Sequence, residues 1–211
     1  MRIVKSLLVL ALCTTLSACG PLYGQFMKTS EGLKNFEVTK GDITDLRGVK
    51  NLLVVGPFLG AGDEHHMCIP KEDCIFPYNA EIDFVTKYND AQRFANGFRK
   101  AELFETELYL EVYYDKLEET TNRLKSMNSQ EIQKELELSN PPEMIFFGTV
   151  KKRENKIAPA RGVVVDVHYE LEFYNPETKQ SILIDVAVFK LFKEDLKTIL
   201  QEMKYRLIEK N

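Results

Sequence analysis

The sequence predicts a single α+β domain in which helices pack against a mixed β-sheet. Two short continuous apolar runs, at residues 52–58 and 144–150, are typical of strands buried on both faces. The run at 163–173 alternates apolar and polar side chains, and a second alternating run at 182–188 follows a turn. This pair predicts an antiparallel hairpin. Apolar residues three and four apart elsewhere predict the helices.

The first 18 residues have the pattern of a secretory signal peptide. Arg2 and Lys5 precede an apolar run, at residues 7–12, that is too short to span a bilayer as a mature helix. The segment ends in Leu16-Ser17-Ala18-Cys19, which resembles the lipobox of bacterial lipoproteins. That resemblance implies cleavage before Cys19, a diacylglyceryl thioether on its sulfur, and N-acylation with a fatty acid such as palmitate. A plain signal peptide or an uncleaved anchor is the alternative.

Such an anchor would hold the domain at a membrane surface. Each buried methylene adds about 0.8 kcal/mol, so two or three acyl chains bind almost irreversibly. Position 20 is Gly and not Asp, which resembles the outer-membrane sorting signal of enteric-type bacteria. This implies the periplasmic side of the cell outer membrane, with the inner membrane or a Gram-positive cell membrane left open.

The balance of charge argues against nucleic acid as a partner. The whole chain has 28 basic and 32 acidic residues and a net charge of −4. Loss of the signal peptide, with its two basic residues, makes that charge about −6, whereas nucleic-acid binding requires a basic surface. Beyond the signal peptide no apolar run approaches the roughly 20 residues of a membrane-spanning helix. The acyl chains are therefore the predicted membrane contact.

Residues 19–48 are interpreted as a lipid-anchored tether and entry segment, and residues 49–211 as the globular domain. Glycine, proline and serine interrupt any periodicity up to about residue 34. Even fully extended, 15 residues span about 50 Å, so the domain stays near its membrane. Residues 36–38 form either an edge strand or the entry into the domain.

The first core strand, at residues 51–58, ends in Gly56-Pro57 and leads into a long loop at residues 59–79. Loops longer than about 15 residues are usually functional or disordered. A helix follows, with Asn79 as its N-cap, because five apolar residues form one stripe: Phe84, Tyr88, Ala91, Ala95 and Phe98.

The middle of the chain alternates strands and helices. Leu108, Leu110 and Val112 favour a strand, although a helix also fits. Helical spacing then covers residues 117–127, and Asn128 with Glu131 has the form of a cap for a further helix. Two prolines end that helix. The basic residues at 151–153 mark the point where the second core strand leaves the core.

The end of the chain contains the hairpin and a last helix. Residues 175–179 have turn chemistry. Apolar residues spaced three to four apart then predict a helix packed on the sheet; they are Phe192, Leu196, Ile199, Leu200, Met203 and Leu207.

The long loop contains the residues with the most distinctive chemistry. Cys13 leaves with the signal peptide and Cys19 takes the lipid, so Cys68 and Cys74 form the remaining pair. In an oxidising compartment this pair predicts a disulfide that closes a small loop. With free thiols, His65, His66 and both cysteines could instead ligate zinc or copper. No metal or other cofactor is predicted, since adjacent histidines point apart in an extended chain.

The order of elements resembles the N-terminal domain of TolB and related envelope lipoproteins such as LpoB and CsgG. The matching stretches are residues 52–58, 97–104 and 142–150 and the turn at 175–179. The resemblance implies a partner-binding domain near the outer membrane. The chain lacks the pore-forming hairpins, long linker and propeller found among these proteins. The resemblance therefore predicts the fold of the domain better than it predicts the identity of its partner.

The sequence predicts a protein that is not an enzyme. It has no Gly-x-Ser-x-Gly elbow, no Ser-x-x-Lys pair and no Walker spacing. The predicted function is a non-enzymatic, lipid-anchored interaction or accessory module of an envelope complex, with a protein partner and no nucleic acid. The alternative is a small-molecule or metal binder, or a hydrolase, centred on residues 65–74.

Overall fold

The computed structural model describes residues 28–60, 80–111, 113–158, 161–192 and 194–209. Several predicted features lie outside these ranges: the signal peptide, the lipidated Cys19, the Asn79 cap, and the loop with His65, His66, Cys68 and Cys74.

Within the described residues, seven strands form one mixed sheet, which confirms the predicted fold class. The strands are β1 (Gly32–Lys40), β2 (Asn51–Gly56), β3 (Leu59–Gly60), β4 (Glu105–Leu110), β5 (Met144–Ala158), β6 (Gly162–Tyr174) and β7 (Ser181–Leu191). Their order is β1-β7-β6-β5-β2-β4, and the short β3 pairs with β5 outside this path. β2 is parallel to β4 and β5, whereas the other pairs along the path are antiparallel.

Four α-helices accompany the sheet in the described part of the chain. They are α1 (Ala80–Lys100), α2 (Leu117–Ser126), α3 (Ser129–Leu136) and α4 (Asp195–Lys204), and a π-helical turn at Tyr205–Glu209 follows α4. None of these helices combines the length and the apolar character needed to cross a bilayer. The apolar spacing predicts a last helix over residues 192–207, whereas α4 ends at Lys204 because the chain continues as the π-helical turn.

The predicted hairpin is formed by β6 and β7, and its turn follows from the chemistry of Asn175. The Asn175 side chain accepts hydrogen bonds from the backbone N–H groups of Glu177 and Thr178, at 2.8 and 3.0 Å. Lys179 adopts a left-handed φ of 59° and returns the chain to β7. The register then places Glu170 opposite Asp185.

The sheet begins earlier than residue 49. β1 pairs antiparallel with β7 and forms one edge of the sheet. Phe36 is buried in the main core. Of the two possibilities for residues 36–38, the edge strand is the one that forms, so part of the predicted entry segment belongs to the sheet.

One face of the sheet is covered by α1 and α4 over an aromatic cluster. Ring centroids of contacting pairs lie between 4.9 and 6.2 Å apart. The cluster comprises Phe58, Phe94, Phe98, Phe104, Phe146, Tyr169 and Phe173. Gly148 makes room for it, since a Cβ there would lie 2.4 Å from the Phe58 ring. The predicted core strands supply the alternate residues that face this cluster.

Part of the other face is covered by α2 and α3 in the described part of the chain. Leu53 and Ile145, with their strand neighbours on the same face, pack against buried residues of α2 and α3. The predicted capping box is present: the Asn128 side chain accepts from the Glu131 N–H at 3.0 Å, and the Glu131 carboxylate accepts from the Asn128 N–H at 2.9 Å. Both predicted core strands are therefore buried on two sides.

One prediction about β5 is wrong. The strand does not leave the core at residues 151–153 but continues to Ala158. Arg153 is 5% exposed and points to the α1 and α4 side, while Lys151 and Lys152 are exposed. A register shift between Val150 and Lys152 accommodates the change. The Arg153 guanidinium can be buried because it forms an ion pair with Asp90.

Candidate docking groove

A groove with a volume of about 810 Å³ lies between α1 and α4 and is open to solvent. Its apolar lining includes Leu196 and Leu200 from α4, and Ala101, which directly follows α1. Its rim is basic, because four cationic side chains line it: Arg93, Lys100, Lys197 and Lys204. An apolar cleft with a charged rim is suited to binding an amphipathic ligand.

Gly97 sets how closely the two helices approach. A Cβ at this position would lie 2.5 Å from a methyl group of Leu200 and 3.2 Å from one of Leu196. A larger residue would therefore require the side chains of Leu200 and Leu196 to shift. A glycine inside a helical pattern costs about 1 kcal/mol relative to alanine, so a packing reason is the usual explanation.

Arg93 holds the amino-terminal end of α4 against α1. Its guanidinium forms an ion pair with Asp195, the first residue of α4, and donates to the Phe192 carbonyl at 2.9 Å. The guanidinium carbon also lies 4.3 Å from the centre of the Phe192 ring. Burial alone would lower the pKa of Arg93, but the adjacent Asp195 carboxylate raises it above the ordinary value.

Beneath Arg93 lies a buried ion network that joins α1, α4 and the sheet. Arg153 forms an ion pair with Asp90 and donates to the Tyr169 hydroxyl at 2.7 Å. Arg93 lies 3.3 Å from the other oxygen of Asp90. Asp90, Tyr169 and Asp195 are each 1% exposed. The network therefore fixes the position of α1 relative to the amino-terminal end of α4, where the groove begins.

The pKa values in this network follow from burial and from the paired charges. Burial raises the pKa of Asp90, although Arg153 and Arg93 act in the opposite direction. Burial alone would lower the pKa of Arg153, but Tyr169 and Asp90 raise it above the ordinary value. Burial likewise raises the pKa of the Tyr169 hydroxyl, which stays protonated. The tyrosine is thus a neutral partner for the arginine.

At the other end of the groove, Lys204 donates to the Ala101 carbonyl at 3.2 Å. A carbonyl carries no net charge, so this contact leaves the cation uncompensated. Lys100 and Lys197 are exposed and have no ion pair within the described residues. Among the described residues, the lining of the groove therefore presents three positive charges and includes no carboxylate to face them.

On the face that carries α2 and α3, the strands β5 to β7 also present charged side chains beyond these helices, at Lys151, Glu170 and Asp185. We call this surface the open face, and its charges are arranged differently. Lys151 lies 2.6 Å from Glu170 and 3.3 Å from Asp185, and the His168 ring is 2.6 Å from Asp185. Burial would raise the pKa of Asp185, but His168 and its other partners lower it below the ordinary value. Lys152 likewise pairs with two carboxylates of the same surface. This surface is neutralised internally, whereas the groove is not.

The predicted site residues are, with one exception, not among the residues that the structure describes. Cys19, Cys68, Cys74, His65 and His66 lie outside the described residues, so the lipidation, disulfide and metal interpretations stay predictions. His168, interpreted as a solvated strand residue, is about one third exposed. In the part of the chain that the structure describes, no three His, Cys, Asp or Glu residues are placed to hold a metal ion.

The groove itself was missed at the sequence level. The available signals were Gly97 inside a helical stripe and Lys197 and Lys204, seven residues apart on the polar side of the last helix. Neither signal says which helix lies beside which. The pairing of α1 with α4 is a property of the tertiary structure.

No protein-family model matches the chain, and no curated protein sequence is significantly similar to it. Solved structures with a similar chain include two PelC dodecamers from Paraburkholderia phytofirmans. A variant in space group C2 has a TM-score of 0.44 and 9% identity, over 82% of this chain and 98% of that chain. A dodecamer in space group P6 has a TM-score of 0.41 and 10% identity, over 82% and 96%. Similarity at this level does not transfer a function.

Proposed function

We propose that this chain is a lipid-anchored lipoprotein of the bacterial cell envelope that acts as a non-enzymatic protein-interaction module. The observation that carries the interaction role is the groove between α1 and α4, because its apolar lining and uncompensated lysines lie on the surface. Gly97 lets α4 lie close to α1, and the Arg93–Asp195 ion pair joins the two helices at one end of the groove. Such a preformed cleft lowers the entropic cost of binding a partner.

The location rests on the lipobox at the start of the chain. Cys19 would receive the acyl chains, and Gly20 favours the cell outer membrane with the domain on the periplasmic side. The domain would then sit close to its membrane, where other envelope proteins are its nearest candidates for binding. The absence of a recognisable catalytic motif in the sequence is compatible with a binding role.

Replacing Cys19 tests the anchor. We expect Cys19→Ala to abolish labelling by a palmitate analogue and to release the protein or leave it unprocessed, since the thioether requires that sulfur. Cys13→Ala is the matched control, because it removes a cysteine from the predicted signal peptide and should leave labelling unchanged. Labelling that persists in Cys19→Ala, and is still sensitive to globomycin, would contradict the assignment.

Photo-crosslinking in living cells tests the interaction role. A benzoylphenylalanine in place of Gln201, an exposed residue that lines the groove, should give protein adducts severalfold more abundant than one in place of Glu37 on the β1 edge. Immunoblotting and mass spectrometry measure these adducts. If neither position yields a protein adduct in any growth phase, the chain is not an interaction module of this kind.

A further inference from the structure

We infer that the groove between α1 and α4 binds a short amphipathic helix of a partner protein, with acidic residues flanking its apolar stripe. The inference rests on the proposed interaction role and adds the chemistry of the partner. It depends on three features of the described residues: the size of the groove, the spacing of its lysines, and the absence of carboxylates facing them.

The length of the groove matches about two turns of helix. Its lining extends from Arg93 in α1 to Ala101, the residue after α1, which is about 12 Å at 1.5 Å per residue. A helix lying in this groove would place apolar residues at positions i, i+3 or i+4, and i+7 over Leu196 and Leu200. The lining is apolar where such a stripe would rest.

The spacing of the lysines specifies the flanks of that helix. Lys197 and Lys204 are seven residues apart on α4, so they lie on the same side of the helix about two turns apart. Lys100 lies on the opposite wall, on α1. A bound helix with carboxylates seven residues apart on one flank, and one carboxylate on the other, would face all three cations.

The free charges distinguish this surface from the rest of the molecule. Lys151 and Lys152 on the open sheet face are already paired with carboxylates of the same face. At the groove the nearby acidic side chains, Asp90 and Asp195, are buried and paired with arginines. The lysines of the rim are therefore available to a ligand, and complementary charge gives that ligand its orientation and specificity.

A peptide fits this geometry better than a small amphiphile. Sites for small ligands usually enclose most of the ligand's surface, whereas this groove is open to solvent along its length. A helix needs only one covered face, since its own backbone hydrogen bonds are satisfied internally.

Fluorescence anisotropy with designed peptides tests the inference. The probe is a labelled two-to-three-turn helix with leucines at i, i+3 and i+7 and glutamates on both flanks; the comparison peptide carries lysines in place of the glutamates. The protein is the full lipidated chain in phosphatidylcholine vesicles. We expect the acidic peptide to bind about tenfold more tightly than the basic one, with affinity that falls as salt rises.

Charge reversal locates the binding to the groove. The double variant Lys100→Glu with Lys197→Glu should weaken the acidic peptide about tenfold and improve the basic one. Lys134→Glu is the matched control, because Lys134 is an exposed lysine on α3, without an ion pair in the described part of the chain. Circular dichroism confirms that all variants are folded.

Several outcomes would overturn the inference. One is equal affinity for the two peptides, or equal loss in Lys134→Glu and the groove variant. Displacement of the acidic peptide by phosphatidylglycerol vesicles, lost in the groove variant, would assign the groove to lipid. Light scattering that shows a dimer broken by Lys197→Glu would assign it to a second copy of the chain.

The peptide assay tests the acidic-helix inference, and the crosslinking assay tests the interaction role independently of it. If the acidic peptide does not bind but position 201 still crosslinks a protein in cells, the interaction role stands and the acidic-helix inference is wrong. If both assays are negative, the interaction role is wrong as well.

Discussion

The two faces of the sheet differ in what covers them and in how they treat charge. The face under α1 and α4 carries the main apolar core and buries an ion network. The opposite face is apolar under α2 and α3 and in a small cluster with Ala158 and Val164, and between them it carries paired surface charges. The comparison shows that both faces accommodate charge by pairing it, in a buried network on one face and at the solvent-exposed surface on the other.

The buried network should be the most sensitive point of the covered face. Removing one partner of a buried ion pair costs about 3–5 kcal/mol, because the other charge is left uncompensated. We therefore expect Arg153→Met to lower the free energy of unfolding by about this amount. Urea denaturation followed by circular dichroism measures it. The double variant Asp90→Leu with Arg153→Met should cost less than Arg153→Met alone, and a greater loss would show that the pair is not coupled.

The same variant gives a pH dependence with a definite sign. The folded-state pKa of Asp90 is already raised by burial, and loss of Arg153 raises it further. A carboxyl whose pKa is raised by folding contributes stability below its unfolded pKa, about 3.9, and loses it as pH rises through the folded value. Arg153→Met should therefore be less destabilising at pH 4 than at pH 7. An equal loss at both pH values would contradict this assignment.

Two neighbouring residues of β7 compare the faces directly. Ile184 is 0% exposed and faces α1 and α4, while Leu183 is half-buried on the open face. Ile184→Ala should cost about 2–5 kcal/mol, since it leaves a cavity under the helices. Leu183→Ala should cost less than half as much, because solvent already reaches that side chain. Similar losses in thermal or urea unfolding would show that the open face is covered in solution.

Much of the fold could be predicted because single elements carry their own signals. The alternation from Val163 to Phe173 predicts a strand with one wet side, and the structure has that strand in β6, although Val163 itself is exposed and Val164 is buried. The Asn128 and Glu131 pair reports a helix start and forms the capping box. These signals are local, since a cap or a period-two pattern involves neighbours in sequence.

Arg153 and the groove could not be predicted in this way. A cation after two lysines has the pattern of a solvated strand end, and only Asp90 and Tyr169, distant in sequence, make its burial acceptable. The groove likewise needs α1 and α4 side by side, although about a hundred residues separate them. Contacts between residues that are distant in sequence produce no spacing pattern, either around Arg153 or in the two helices of the groove.

The sequence by itself determined the class of the fold, the two strands buried on both faces, the hairpin and the start of α3, whereas α3 ends at Leu136, before the two prolines that were expected to end it. It also supplies the basis for the predicted lipid anchor, since that motif is a contiguous run. Only the tertiary structure decided which helices share a face, where a buried arginine finds its carboxylate, and which lysines are left uncompensated around a groove. The physical reason is that burial and charge pairing depend on distances in space, which local spacing along the chain does not define.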